Sequence, residues 1–304
     1  MTSGSRTYAI MGASGHIGQV VAERLLAAGH RVRVLGRSAD RLKNLAAQGA
    51  VPHVGAFDDV EALAEAFTGV DAVFAMIPPD YSTGDHLAFQ DRVGSAIAQA
   101  LQRARVRSVV NLSSLGAHLH ERTGPIRGLT KQEGRLDGIE DLQVIHLRPT
   151  YFMENLLGSI PTIRSLGVNG SAFRADLPIP MVATRDIGAK AAEFLAELRF
   201  RGREAFEFAG PRPVTMQEAT SVLGRAIGKP DLQYVQFPYG EAEKAMLAAG
   251  MKPDVVGLFL EMTRSFNEGL VQPERPMTRD HLGTTAIEQF AEVFAAAYRA
   301  ATRT

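Results

Sequence analysis

No cysteine occurs in the 304-residue chain, which excludes disulfide frameworks, thiolate zinc sites, iron–sulfur clusters and thiol nucleophiles. An excess of charge of either sign is missing too, with 33 Lys plus Arg against 33 Asp plus Glu. Nothing in that balance drives sequence-independent attraction to nucleic acid or to an anionic membrane. Nowhere do the roughly 18 consecutive apolar residues of a membrane-spanning helix appear. The apolar run behind the polar leader Met1–Arg6 stops at Gly12, too soon for a secretion signal, so the cytoplasm is the expected location. What remains is the composition of a globular protein, 45% hydrophobic and 22% charged. The length is about twice the usual 150 residues per domain and permits burial of about 75% of the unfolded surface. A small-molecule substrate is the expected partner, with no nucleic acid and no membrane; no metal-ligand spacing is visible.

The first half alternates strand and helix patterns. Apolar or period-two runs at Thr7–Met11, Arg31–Leu35, Val51–Val54, Asp71–Ile77, Ser108–Leu112 and Gln143–Leu147 read as strands, each followed by helical spacing. Strands separated by helices imply crossovers and a parallel sheet. The fold class expected is α/β, a doubly wound parallel Rossmann sheet over residues 1–155. Residues 182–212 rejoin it through a strand at Glu204–Phe208, and a smaller, mostly helical substrate lobe takes 156–181 and 213–304. Pro161, Gly167, Gly170, Pro178 and Pro180 mark a loop-rich stretch. Thr215…Glu218 and Thr285…Glu288 have the spacing of capping boxes.

Between the first strand and helix stands Gly12-Ala13-Ser14-Gly15-His16-Ile17-Gly18. Gly12 turns the chain off the strand, Gly15 clears space for a pyrophosphate and Gly18 lets the helix approach the sheet. The free N–H groups and positive dipole end of that helix attract the diphosphate, with Ser14, His16 and Ile17 around it. At the end of the second strand an NAD-preferring site carries an acid, but this chain has Arg37-Ser38. A guanidinium there pairs with a 2′-phosphate, favouring NADP(H) over NAD(H). Asp58, after the third strand, either meets the adenine or caps a helix.

The Gly-x-x-Gly-x-x-Gly spacing resembles the short-chain dehydrogenase/reductase superfamily. With Asn111-Leu-Ser-Ser114-Leu-Gly-Ala117, Leu147-Arg-Pro149-Thr-Tyr151-Phe-Met-Glu-Asn155 and Thr184-Arg-Asp-Ile-Gly188 it resembles that superfamily's NmrA-like branch over nearly the whole chain. Ordinary members use a Ser, a Tyr and a Lys four residues after the Tyr. The resemblance offers Ser113 and Lys131 as catalytic residues, Lys131 also as a hydrogen-bond donor to the nicotinamide ribose. Yet no Tyr lies between Tyr81 and Tyr151, and Arg127 stands where the phenol belongs. His118 and His120 are the sequence's candidates to replace it; a solvated loop position is the plainer reading of both.

Met76, Ile77, Pro78 and Pro79 close the fourth strand, where a parallel sheet's crevice opens. With Tyr151 and Asn155 they are expected beside the cofactor, and Tyr81, Phe152 and Met153 in a substrate pocket, although half of this apolar set reads equally well as core. Asn155 is expected to be buried with a bonding duty. Without the phenol, reversible alcohol–ketone chemistry recedes. The expected function is NADPH-dependent hydride transfer to a quinone-like or other small electrophile; the alternative is a non-catalytic redox sensor acting through a protein partner. The resemblance implies both kinds of protein. Direct DNA binding has only the Arg103, Arg105, Arg107 cluster in its favour, an ordinary solvated helix end.

Overall fold

The structure, a computed structural model, describes residues 4–301, so the first three residues of the polar leader lie outside it. Strands β1 (Thr7–Ile10), β2 (Arg31–Gly36), β3 (Val51–Val54), β4 (Ala72–Met76), β5 (Ser108–Leu112) and β6 (Gln143–Pro149) join a last strand, Arg203–Phe208. All seven pair in parallel, in the order β3-β2-β1-β4-β5-β6-last. The order reverses between β1 and β4, the switch point at which α/β sheets open a ligand crevice.

The intervening helices are α1 (His16–Ala27), α2 (Ala39–Ala47), α3 (Val60–Phe67), α4 (His86–Arg103), α5 (Ile126–Asp137) and, before the last strand, α6 (Ile160–Leu166) and α7 (Thr184–Glu197). Side chains of a strand alternate between faces. Tyr8 and Ile10 of β1 therefore pack with Val21 and Leu25 of α1 and Ile187 and Leu195 of α7. Ala9 and Met11 pack on the other face with Phe67, Val93 and Ile97. Burial on both faces is why these strands read as continuous apolar runs.

Beyond the sheet come α8 (Met216–Ala226), α9 (Tyr239–Ala248), α10 (Pro253–Asn267) and α11 (Ile287–Ala301). A separate apolar cluster gathers Met153, Ile163, Leu223, Phe266, Phe290 and Phe294. The loop-rich stretch after β6 is more regular than its Pro and Gly content suggests. A 3₁₀ helix, Met153–Ser159, runs into α6, and Pro161 sits in the first turn of α6, where a missing N–H costs nothing.

The two capping boxes fare differently. Thr215 accepts the Glu218 N–H at 3.0 Å, but the Glu218 carboxylate turns instead to Arg212 at 2.7 Å. Thr285 caps nothing: its N–H and hydroxyl both donate to Asp186, at 2.7 and 2.8 Å. A charged acceptor on α7 outcompetes the local cap, α11 begins at Ile287, and the Gln289 side chain takes the Ala286 N–H at 2.9 Å. No helix among the described residues is long and apolar enough to cross a membrane.

Candidate active site

The glycine loop leaves β1 with Gly12 at φ +63°, a conformation that disfavours any side chain, and a Cβ there would meet Met76 Sδ at 2.4 Å. A Cβ on Gly18 would strike the Gly12 carbonyl at 2.4 Å, so α1 can follow the loop this tightly only with glycine. Gly15 is the N-cap, no side chain caps α1, and its first turn holds no acid. The backbone N–H groups of Ser14, His16, Ile17 and Gly18 have no partner among the described residues. Ser14, Gly15 and His16 are exposed, so these donors form a bare cradle at a positive helix end, the requirement of a diphosphate. Arg37 is exposed beyond β2 with no ion pair or hydrogen bond among the described residues. Ser38 opens α2 without using its hydroxyl as a cap. Asp59, not Asp58, caps α3 by accepting the Ala62 N–H, which leaves the exposed Asp58 carboxylate uncommitted. The residues fit a phosphorylated dinucleotide.

Next to the loop, beyond the ends of β4, β5 and β6, lies a cavity of about 330 Å³. Met76, Ile77, Pro78, Pro79, Tyr81, Ser113, Ser114, Tyr151, Phe152 and Asn155 all line it, as their positions at strand ends predict. Two expectations change character. Met153 is 1% exposed and belongs to the apolar cluster, because the 3₁₀ turn points it inward away from the cavity. Asn155 is exposed rather than buried; the bonding duty falls to Glu154, which accepts the Thr184 N–H and hydroxyl, the latter at 2.6 Å.

The proposed catalytic pair does not assemble. Lys131 is on the far side of α5 from cavity-lining Leu129, its side chain 65% exposed and 3.8 Å from Asp91. Helical spacing explains this, since residues two apart on a helix face opposite ways. Ser113 does line the cavity but donates to Glu133 at 2.5 Å. Glu133 in turn takes Arg148 bidentately at 2.9 and 2.6 Å, and Arg148 reaches Glu274 at 2.6 Å. Burial works against the Glu133 carboxylate, but hydrogen bonds from Arg148, the charges of His146 and Arg148 and the Ser113 hydroxyl hold it below the ordinary range. His118 lies 3.6 Å from Glu274 and His120 is exposed; neither lines the cavity. The ligand atoms of His118, Glu207 and Glu274 approach within 4.8 Å of one another, a grouping that sequence spacing does not show, and the Arg148 guanidinium already stands beside it as a cation.

Part of the rest of the wall comes from helices that the sequence did not assign to the site. α4 contributes His86 and Gln90, and α10 contributes Phe259, Met262 and Phe266. Thr150 Oγ1 and Gln90 Oε1 are buried without a hydrogen-bond partner, although both residues line the cavity. No Lys, Arg, Asp or Glu lines it among the described residues. The one local signal for His86 is its place behind Asp85, a helix-capping residue after the Pro78-Pro79 turn.

The sequence profile of the NmrA-like family matches residues 4–294. A (4-alkanoyl-5-oxo-2,5-dihydrofuran-3-yl)methyl phosphate reductase of Streptomyces griseus is 31% identical over 277 residues, 91% of this chain and 93% of that protein. An NAD(P)H azoreductase of Xenophilus azovorans is 26% identical across 96% of this chain and 99% of its own. Among solved structures, an NADPH-dependent quinone oxidoreductase from Escherichia coli, complexed with NADPH, superposes with a TM-score of 0.80 at 21% identity, over 94% of this chain and 99% of that one. The negative transcriptional regulator NmrA in complex with NAD superposes with a TM-score of 0.73 at 16% identity, over 99% and 98%.

Proposed function

The chain belongs to the NmrA-like family, and on that premise we propose that it is an NADPH-dependent oxidoreductase acting on a flat electrophile of the quinone type that carries no negative charge. The observation that carries this reading is the cavity wall: it is rich in aromatic rings, Met, Pro and Leu, holds no Lys, Arg, Asp or Glu among the described residues, and lies directly beside the glycine loop through Met76. Reduced nicotinamide, when bound, supplies the hydride. The protein's own task is to hold cofactor and acceptor in contact and keep water out, which is worth several powers of ten in rate. The bare N–H cradle at Ser14–Gly18 holds the diphosphate, and the unpaired Arg37 with Ser38 takes the 2′-phosphate. Tyr151, Phe152 and Phe259 give planar walls suited to a planar acceptor.

The wall also argues on substrate charge. A phosphorylated substrate, such as the one named for the Streptomyces griseus reductase, calls for the Lys or Arg cluster that binds a dianionic phosphate, and no Lys or Arg among the described residues lines this cavity. Reduction of small neutral quinones, followed by loss of the reduced cofactor's absorbance, tests the reading. Turnover is expected with NADPH and not with Gly15→Asp, whose carboxylate faces the diphosphate. Tight NADPH binding without oxidation by any quinone of a panel would replace the enzyme with a cofactor-reporting regulator.

A further inference from the structure

We propose that His86 is the proton donor of this cavity, standing in for the phenol that the chain lacks; the inference rests on the reductase reading above. His86 opens α4 and is 3% exposed, yet it lines the cavity. Its backbone N–H donates to Asp254 at 2.8 Å, tying it to the first turn of α10. Its Nδ1 lies 3.1 Å from the Asp80 carbonyl. A carbonyl only accepts, so Nδ1 carries the hydrogen in either charge state. Nε2 has no partner among the described residues and is not sealed off. One ring nitrogen is fixed and the other is left for the occupant of the cavity.

The other hydrogen-bearing groups of the wall are less suited. Ser113 is committed to Glu133 and Ser114 to the Leu115 carbonyl. The Thr150 hydroxyl and Gln90 amide are too weakly acidic to release a proton. Burial pushes the Tyr151 and Tyr81 phenols up, and no Lys or Arg among the described residues lines the cavity to bring them down. An imidazole with one nitrogen fixed and the other free can release a proton and take it back, which is what a general acid needs.

The balance is simple. Hydride, which reduced nicotinamide would supply when bound, would bring the quinone two electrons and one proton. The oxygen that gains electron density takes a second proton from imidazolium Nε2, so an N–H bond breaks and an O–H bond forms. His86 is left neutral with Nδ1–H still on Asp80, and water at the half-exposed Tyr81 rim restores its proton. The charged and titratable groups around the ring are Asp80 and Tyr81 from the loop after β4, Asp85 on its own helix and Asp254 of α10. Arg37 acts on Asp80 across the loop, and the Lys252 backbone bonds Tyr81.

Two acceptors separate hydride from proton. A quinone needs both, whereas a cationic triarylmethane dye takes hydride at its carbocation and becomes neutral without a proton. His86→Asn keeps a donor for the Asp80 carbonyl and deletes Nε2. Quinone turnover is expected to fall about a hundredfold or more, while dye turnover stays within about twofold. The decline of wild-type quinone turnover with rising pH should vanish in the variant. Binding of 4-nitrophenolate, an oxyanion mimic read by its absorbance without any turnover, should weaken about tenfold, the value of a lost charged hydrogen bond. Equal losses on both acceptors, an unchanged pH profile, or unchanged nitrophenolate binding would overturn the assignment. So would a quinone-specific loss in Tyr151→Phe instead. A wild-type protein that reduces neither acceptor defeats the reductase reading, and nitrophenolate binding then decides the role of His86 alone.

Discussion

Thr150 carries a hydroxyl that burial has stripped of water and that no protein group replaces. An unpaired buried hydroxyl destabilises the fold, and this one stands just beyond β6 on the cavity wall, where an occupant of the cavity would complete its bond. Thr150→Val removes the hydroxyl at nearly constant shape. Urea unfolding should change by less than about 1 kcal/mol, because no internal bond is lost, while KM for the acceptor rises several-fold. A large loss of stability with KM unmoved would make the hydroxyl structural. Arg37 is the opposite case, an exposed cation with no ion pair or hydrogen bond among the described residues. Arg37→Glu should cost NADPH affinity about 2–3 kcal/mol, the range for a lost charged contact, and NADH affinity far less. Calorimetry with both cofactors checks it, and equal losses would remove Arg37 from the 2′-phosphate.

At the scale of elements, Arg148 binds β6 to α5 through Glu133 and to the segment before α11 through Glu274. Removing one member leaves buried charge without compensation, so Arg148→Met should cost about 3–5 kcal/mol in urea unfolding at neutral pH. Linkage gives the sign with pH. Glu133 is held below its ordinary range in the fold, so the tie contributes fully above the unfolded carboxylate value and is lost as pH falls through the lower folded one. The variant, having already lost the tie, should show a shallower acid limb than the wild type. Glu207 pulls the other way: burial and the charge of Glu274 raise it, so its contribution is present at low pH and lost as pH rises through its folded value. This network was only partly legible. A charged Arg148 near the end of the strand Gln143–Pro149 is visible in the sequence, but its partners are set by how α5 and the 274 segment pack. The same limit misplaced Lys131, since spacing alone cannot say which face of α5 looks into the crevice.

For the molecule as a whole, what the sequence made legible is what is local. The strands announce themselves because both faces are buried, and the glycine loop because backbone geometry demands glycine at Gly12 and Gly18. What it hid is assembled at a distance: the cavity closes only when α4 and α10 lay His86, Phe259 and Phe266 against the ends of β4 and β5. That construction makes a prediction about cooperativity. Leu115 and Phe266 of the helical cluster and Phe152 beside the sheet cluster share one wall, so the two clusters should unfold together. A ligand that binds only the folded state stabilises by mass action, about 2.7 kcal/mol at one hundred times its Kd. At about 1.6 °C per kcal/mol for a chain of this size, NADPH at that concentration should raise Tm by roughly 4 °C. Calorimetry should show one transition moving as a unit. A second transition indifferent to NADPH would mean that the helical lobe unfolds on its own, and that a wall drawn from both lobes does not couple them.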